Sequence, residues 1–214
     1  KPVVLVNYSG SAMALNWEND NLDAIVQAFY PGERGGAAIA DLLYGEFSPS
    51  GRLPVTFYKS VTDLPGFKDY SMANRTYKYF SGEPLYPFGY GLSYTDFDYS
   101  DIAVPESHDA AAPMTVSATV TNSGDMAGRE VVQVYLSHDN RAHDAVPQVE
   151  LIAFDVVELA PGESRTVSFD LTPDNLAYFA EDGSAVTPSG STATISIGGG
   201  QPAFAETETA SVAF

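Results

Sequence analysis

Hydrophobic and polar positions follow two rhythms along this chain, and the change falls near residue 98. Before it, apolar residues come in short unbroken blocks. Residues 3–8 (VVLVNY) form the first, interrupted only by Asn7 and closed by Ser9-Gly10-Ser11. A run apolar on both faces suits a buried parallel strand. Residues 16–23 are polar and read as a loop that carries Trp17. Residues 24–30 (AIVQAFY) read as a second strand, stopped by Pro31-Gly32. Residues 33–45 read as a helix, with Ile39, Leu42 and Leu43 at helical spacing, Glu33 in the first turn and Gly45 as the stop. After a turn at 48–51, residues 52–57 (RLPVTF) read as a third strand. Strand, helix and strand with short joints predict α/β layering, in a sheet too small to stand alone. Residues 58–74 read as loop.

From residue 98 onward the pattern alternates. Residues 114–121 (MTVSATVT) and 131–137 (VVQVYLS) alternate apolar with polar, and 149–159, 165–171 and 192–197 behave similarly. Turn signals fall between them at 122–125, Asp139-Asn140, Pro161-Gly162, Asp182-Gly183 and Ser189-Gly190. About seven short strands at this spacing, with no helical stretch between them, predict an antiparallel sandwich. Residues 198–200 read as a flexible joint and 210–214 as a last edge strand.

Between the two textures lies RTYKYFSGEPLYPFGYGLSYTDF, residues 75–97. Tyr77, Tyr79, Phe80, Tyr86, Phe88, Tyr90, Tyr94 and Phe97 crowd here among Gly82, Pro84, Pro87, Gly89 and Gly91. Prolines and glycines this dense forbid a long helix and break any strand. Rings this dense are too apolar for a wet linker. The stretch therefore reads as a connector pinned by its rings between two domains. A buried loop within one domain and a ligand-stacking platform are the alternatives. The division expected is 1–74, 75–97 and 98–214.

Composition narrows the function classes. At 214 residues and 44% hydrophobic, the chain can bury the cores of one large or two small domains. It has no apolar run long enough to cross a bilayer, and no basic segment leading into an apolar one that would read as a signal peptide. It opens at Lys1 almost directly on a strand, which reads as a cut point inside a longer protein. A net charge of −18 disfavours nucleic acid and anionic membranes as partners. With no cysteine, disulfides, zinc–thiolate sites and cysteine nucleophiles are excluded, while the compartment stays open. The Asp/Asn pattern of a calcium loop is absent.

Candidate chemistry is thin. The Pro31-Gly32 and Gly35-Gly36 pairs lack phosphate-loop spacing and read as close helix packing. Ser9-Gly10-Ser11 is no nucleophile elbow, and no histidine lies in its part of the chain. His138, Asp139, His143 and Asp144 fit no standard ligand set and read as a solvated loop; His108 shows no partner. Glu18, Asp20, Glu33, Asp41 and Glu83 read as surface charge, caps, or partners of Arg34, Arg52 or Arg75. Tyr135, Tyr178 and Phe179 sit in strand-like patterns and read as core.

Three stretches carry a resemblance. EPLYPFGYGLSYTDF (83–97) resembles the segment that joins the α/β sandwich domain to the fibronectin type III-like domain in family-3 glycoside hydrolases. AFYPGERGGAAIADLLYGEFSPSGRLPVTF (28–57) resembles the region before it. VTNSGDMAGREVVQVYLS (120–137) and LAPGESRTVSFDLTPDNLAYFAEDG (159–183) resemble the terminal domain. The resemblance implies a fold class of partial α/β sandwich followed by an immunoglobulin-like, fibronectin type III-like sandwich. It implies a parent enzyme that is a retaining, exo-acting β-glucosidase or β-xylosidase, whose nucleophilic Asp and acid/base Glu lie upstream. No residue here matches either motif, so no catalytic, substrate-binding or metal-binding residue is assigned and no cofactor is expected. The wording NRTYKYFSGEPLYPFGYG leans towards β-xylosidases. The partners implied are the upstream barrel, the front of the α/β domain and, through the parent, an oligosaccharide; the location implied is secreted or periplasmic. The rival reading is a non-catalytic carbohydrate-binding or structural module.

Overall fold

The computed structural model describes residues 1–139, 146–180 and 182–214. It opens with β1 (Val4–Asn7), α1 (Asn16–Asn21), β2 (Ala24–Gln27) and α2 (Gly35–Leu43). β1 and β2 pair in parallel, Val4 opposite Ala24 through Asn7 opposite Gln27. The parallel register requires a crossover, and α1 supplies it. The polar stretch that reads as loop is thus a short helix: its amide bonds close locally, as in Leu22 N–H to the Glu18 carbonyl at 3.0 Å. α2 starts at Gly35, so Glu33 lies outside it. It stops as expected: Gly45 takes φ +75°, its N–H bonds the Leu42 carbonyl, and Glu46 N–H bonds the Asp41 carbonyl. Those two bonds are the left-handed helix ending that glycine favours.

The third strand expected at 52–57 does not form. Pro54 removes one ladder donor, and the neighbouring backbone groups turn to the connector. Leu53 N–H bonds the Tyr90 carbonyl (2.8 Å), Gly89 N–H the Leu53 carbonyl (2.8 Å), and Phe57 N–H the Tyr86 carbonyl (2.9 Å). Only Phe57 and Tyr86 form a bridge of β type. A 3₁₀ turn at Val61–Asp63 and the one-turn helix α3 (Thr76–Tyr79) complete this half.

The second half is a two-sheet sandwich. Its strands are β3 (Phe97–Ala103), β4 (Met114–Asn122), β5 (Gly128–His138), β6 (Glu150–Leu159), β7 (Ser164–Leu171), β10 (Thr192–Gly198) and β11 (Thr207–Ala213). One sheet runs β11-β10-β5-β6 and the other β3-β4-β7, with antiparallel neighbours. A small hairpin, β8 (Tyr178–Phe179) with β9 (Ala185–Val186), follows the one-turn helix α4 (Pro173–Leu176). That turn is the one helical interruption among the described residues of the sandwich. Alternation places Met114, Val116, Ala118 and Val120 inward from β4, facing Val132, Val134 and Leu136 of β5 and Ile195 and Ile197 of β10. Of the buried apolar residues only Leu15 and Phe57 precede residue 98, so the core belongs to the sandwich.

Candidate functional site at the aromatic junction

The connector is where the two halves meet, and its contacts are specific. The Tyr77 and Phe88 rings stack at 4.1 Å and 10°, and Tyr77 meets Tyr135 of β5 edge-on at 6.4 Å. The Tyr77 hydroxyl accepts from Leu151 N–H at 3.0 Å, and Lys78 pairs with Glu150. On the other side Tyr86 stacks with Tyr90 (5.4 Å, 15°), meets Phe57 edge-on, and donates to Asn19 of α1 at 2.8 Å. Tyr79, Tyr86, Phe88 and Tyr90 are half-buried, while Tyr94 is 51% exposed.

At the centre lies a charged group that sequence reasoning missed. Glu130 of β5 is 1% exposed. Its Oε2 accepts from Arg52 Nη2 at 2.5 Å and its Oε1 from the Tyr99 hydroxyl at 2.9 Å. Arg52 also donates to the Gly91 carbonyl, so one guanidinium grips both the connector and the sandwich. Burial pushes the Glu130 carboxyl up, against the opposing pull of Arg52 and Tyr99. Burial, with Glu130 beside it, pushes the Tyr99 phenol up as well. Next to this group Gln133 donates to the carbonyls of Gly199 (2.9 Å) and Gly89 (3.3 Å) and accepts from Tyr135 at 2.7 Å. The signal for Glu130 was present: it shares the inward phase of Val132, Val134 and Leu136.

This arrangement fastens the two halves to each other. Both Glu130 oxygens are engaged. Glu83 pairs with Lys59 at 2.7 Å on the surface, which holds its carboxyl below the usual range. The cleft of about 410 Å³ beside them is lined by groups that satisfy one another, with Asn74 bridging the Asp63 carbonyl and Ser81 N–H. Asp20, Glu33 and Asp41 are exposed and Glu18 half-buried. No group of three or more metal-ligating side chains occurs among the described residues. His143 and Asp144 lie outside the described residues. His138 is buried, not solvated, with Nε2 unbonded and its ring edge-on to Tyr178. His108 does have a partner, the Ala112 carbonyl at 3.1 Å. Tyr135 is core as expected, but Phe179 is 63% exposed because β8 is a two-residue hairpin arm outside the two sheets.

The described residues thus form an α/β end strapped by an aromatic connector to a β-sandwich. Known proteins carry the same arrangement. Residues 1–94 match the glycosyl hydrolase family 3 C-terminal domain and residues 130–201 the fibronectin type III-like domain. The chain is 44% identical over 179 residues to a xylan 1,4-β-xylosidase of Xylanibacter ruminicola, covering 84% of this chain and 20% of that protein. It is 38% identical to a periplasmic β-glucosidase of Salmonella typhimurium, covering 84% and 25%. A β-glucosidase structure from Chaetomella raphigera superposes with a TM-score of 0.85 at 32% identity, covering 99% of this chain and 33% of that one. The chain belongs to glycoside hydrolase family 3 and corresponds to the C-terminal part of such enzymes. It spans about a fifth to a quarter of the length of these curated relatives.

Proposed function

We propose that the chain is the C-terminal scaffold of a retaining, exo-acting β-glycosidase that removes terminal β-D-glucosyl or β-D-xylosyl residues from oligosaccharides. The observation that carries this is the ordered pair of family matches on a chain whose one buried carboxylate among the described residues, Glu130, is bonded through both oxygens. Retaining hydrolysis needs two carboxyl groups roughly 5–5.5 Å apart, one as nucleophile and one as acid then base. That pair belongs to the upstream part of the enzyme, and none of this chain's residues takes either role.

In this reading residues 1–74 close the α/β sandwich, 75–97 strap it, and 98–214 clamp it from outside. The upstream barrel and the front of the α/β domain are its partners, and the sugar reaches the enzyme through them. Among the described residues no helix is long and apolar enough to cross a membrane. The Salmonella relative's name supports a secreted or periplasmic location. The higher identity to the Xylanibacter enzyme puts β-xylosides first among substrates. The binding-module reading asks for a flat row of exposed rings; among its described residues the sandwich has Phe154, Phe179 and Phe204 as its exposed large aromatics, on β6, on the β8 hairpin and in the turn before β11.

The test is the full-length enzyme with aryl β-xyloside and aryl β-glucoside. Turnover with retained anomeric configuration supports the reading, and turnover of neither substrate contradicts it.

A further inference from the structure

Five exposed large apolar side chains fall in one loop. Within 61–72, Val61 is 80% exposed, Leu64 42%, Phe67 94%, Tyr70 89% and Met72 50%. The backbone beneath them is firmly held. Ser60 and Asp63 form a reciprocal cap, Asp69 N–H closes a turn on the Gly66 carbonyl, and Ser71 N–H bonds the Asp69 carboxylate. Arg75 reaches back to the carbonyls of Ser71 (2.9 Å) and Asp69. The loop's exit is strained: Asn74 and Thr76 both take φ +55°. For a β-branched residue that costs on the order of 1–3 kcal/mol, and such strain persists where the surroundings enforce it. A loop held at a cost, with its rings in water, is preorganised for a contact.

We propose that loop 61–72 seats in the upstream part of the same enzyme. This rests on the reading above that the chain is one part of a longer glycosidase. Three observations choose this occupant. The relatives continue for several times this chain's length. The exposed apolar surface is continuous in character with the α/β end, since 17 of the 21 exposed large hydrophobics lie at or before Tyr94. Three of the five loop side chains are aliphatic or thioether, which offer a sugar no flat face to stack on. A second copy is disfavoured because it would bring together two chains of net charge −18.

The experiment uses the full-length enzyme carrying Phe67→Cys, with Asp174→Cys on the exposed sandwich helix as reference, and measures maleimide labelling at each position by peptide mass spectrometry. Labelling at 67 is expected to be at least about tenfold slower than at 174. Equal rates overturn the proposal. A second variant, Phe67→Ser/Tyr70→Ser, is expected to lower hydrogen-exchange protection of upstream segments and leave that of β5 unchanged. Unchanged upstream protection overturns the proposal. So does slow labelling at 67 only with oligosaccharide present, which marks a sugar platform. So does a halved molecular mass for the double variant, which marks a second copy. Absence of glycoside turnover in the wild-type enzyme refutes the glycosidase reading instead, while the labelling ratio still reports on the loop.

Discussion

Gly89 shows how a single residue carries the junction. Its φ is +80°, and a Cβ there would lie 2.4 Å from Gln133 Oε1 and 2.7 Å from the Tyr135 hydroxyl. Gly162 has a similar φ, +74°, but open space around it. Gly162→Ala should therefore cost only the left-handed conformation, about 1–2 kcal/mol. Gly89→Ala should cost at least about 1 kcal/mol more, because the Gln133 hydrogen bonds must break to make room. Denaturant unfolding of the two variants side by side checks the difference; equal losses contradict the close packing. The Arg52–Glu130 pair makes a second prediction. Arg52→Met alone should destabilise by roughly 3–5 kcal/mol, since it strands the buried Glu130 carboxylate; Glu130→Leu alone should cost less, since the partly buried Arg52 keeps the Gly91 carbonyl. The double replacement should cost much less than the sum of the two. Additive losses would show that the two groups act independently.

At the scale of elements, β5 is the strand that both halves use. Its inward residues Val132, Val134 and Leu136 fill the sandwich core, and its outward Gln133 and Tyr135 are buried by the connector. Its last residue, His138, is held below its ordinary value of 6.5 by burial, against the opposite influence of Glu150 and Asp139. The sign follows from linkage. As pH falls through 6.5 the unfolded chain takes up a proton that the folded chain still refuses, so stability present above that pH is lost below it. His138→Phe should flatten the stability profile below about pH 6.5 relative to wild type. Parallel profiles would show that His138 titrates freely.

The alternating strands of the sandwich and the Schellman-type stop at Gly45 were legible because period and cap chemistry are local. Residues 52–57 were not: RLPVTF has strand composition, but Pro54 and the nearness of the connector decide its pairing. Helix α1 was hidden by the polar run NWENDN, which lacks an apolar face. Glu130 was in the inward phase of a strand otherwise apolar there, yet its partners lie 78 residues upstream and 31 upstream in sequence, beyond any local pattern.

On the scale of the whole molecule, apolar exposure and charge are segregated. Residues 98–214 hold 18 Asp and Glu against three Lys and Arg, whereas 1–97 hold ten against seven. The sandwich turns a solvated acidic surface outward, and the α/β end presents its apolar side chains to whatever completes it. Self-repulsion among the sandwich carboxylates is screened by salt, with a Debye length of about 10 Å at 0.1 M and about 3 Å at 1 M. Raising NaCl across that range should raise the Tm of the sandwich; a fall would mean that the few cations contribute more through ion pairs than the carboxylates lose by repulsion.

Our proposal is that this region supports catalysis performed elsewhere in the enzyme. It is tested most directly by assaying purified Lys1–Phe214 with aryl β-xyloside and aryl β-glucoside, after dispersed amide NMR signals confirm the folded sandwich. No turnover above buffer is expected, with activity present in the full-length enzyme. Turnover by Lys1–Phe214 that disappears on Glu83→Gln or Asp63→Asn would contradict it.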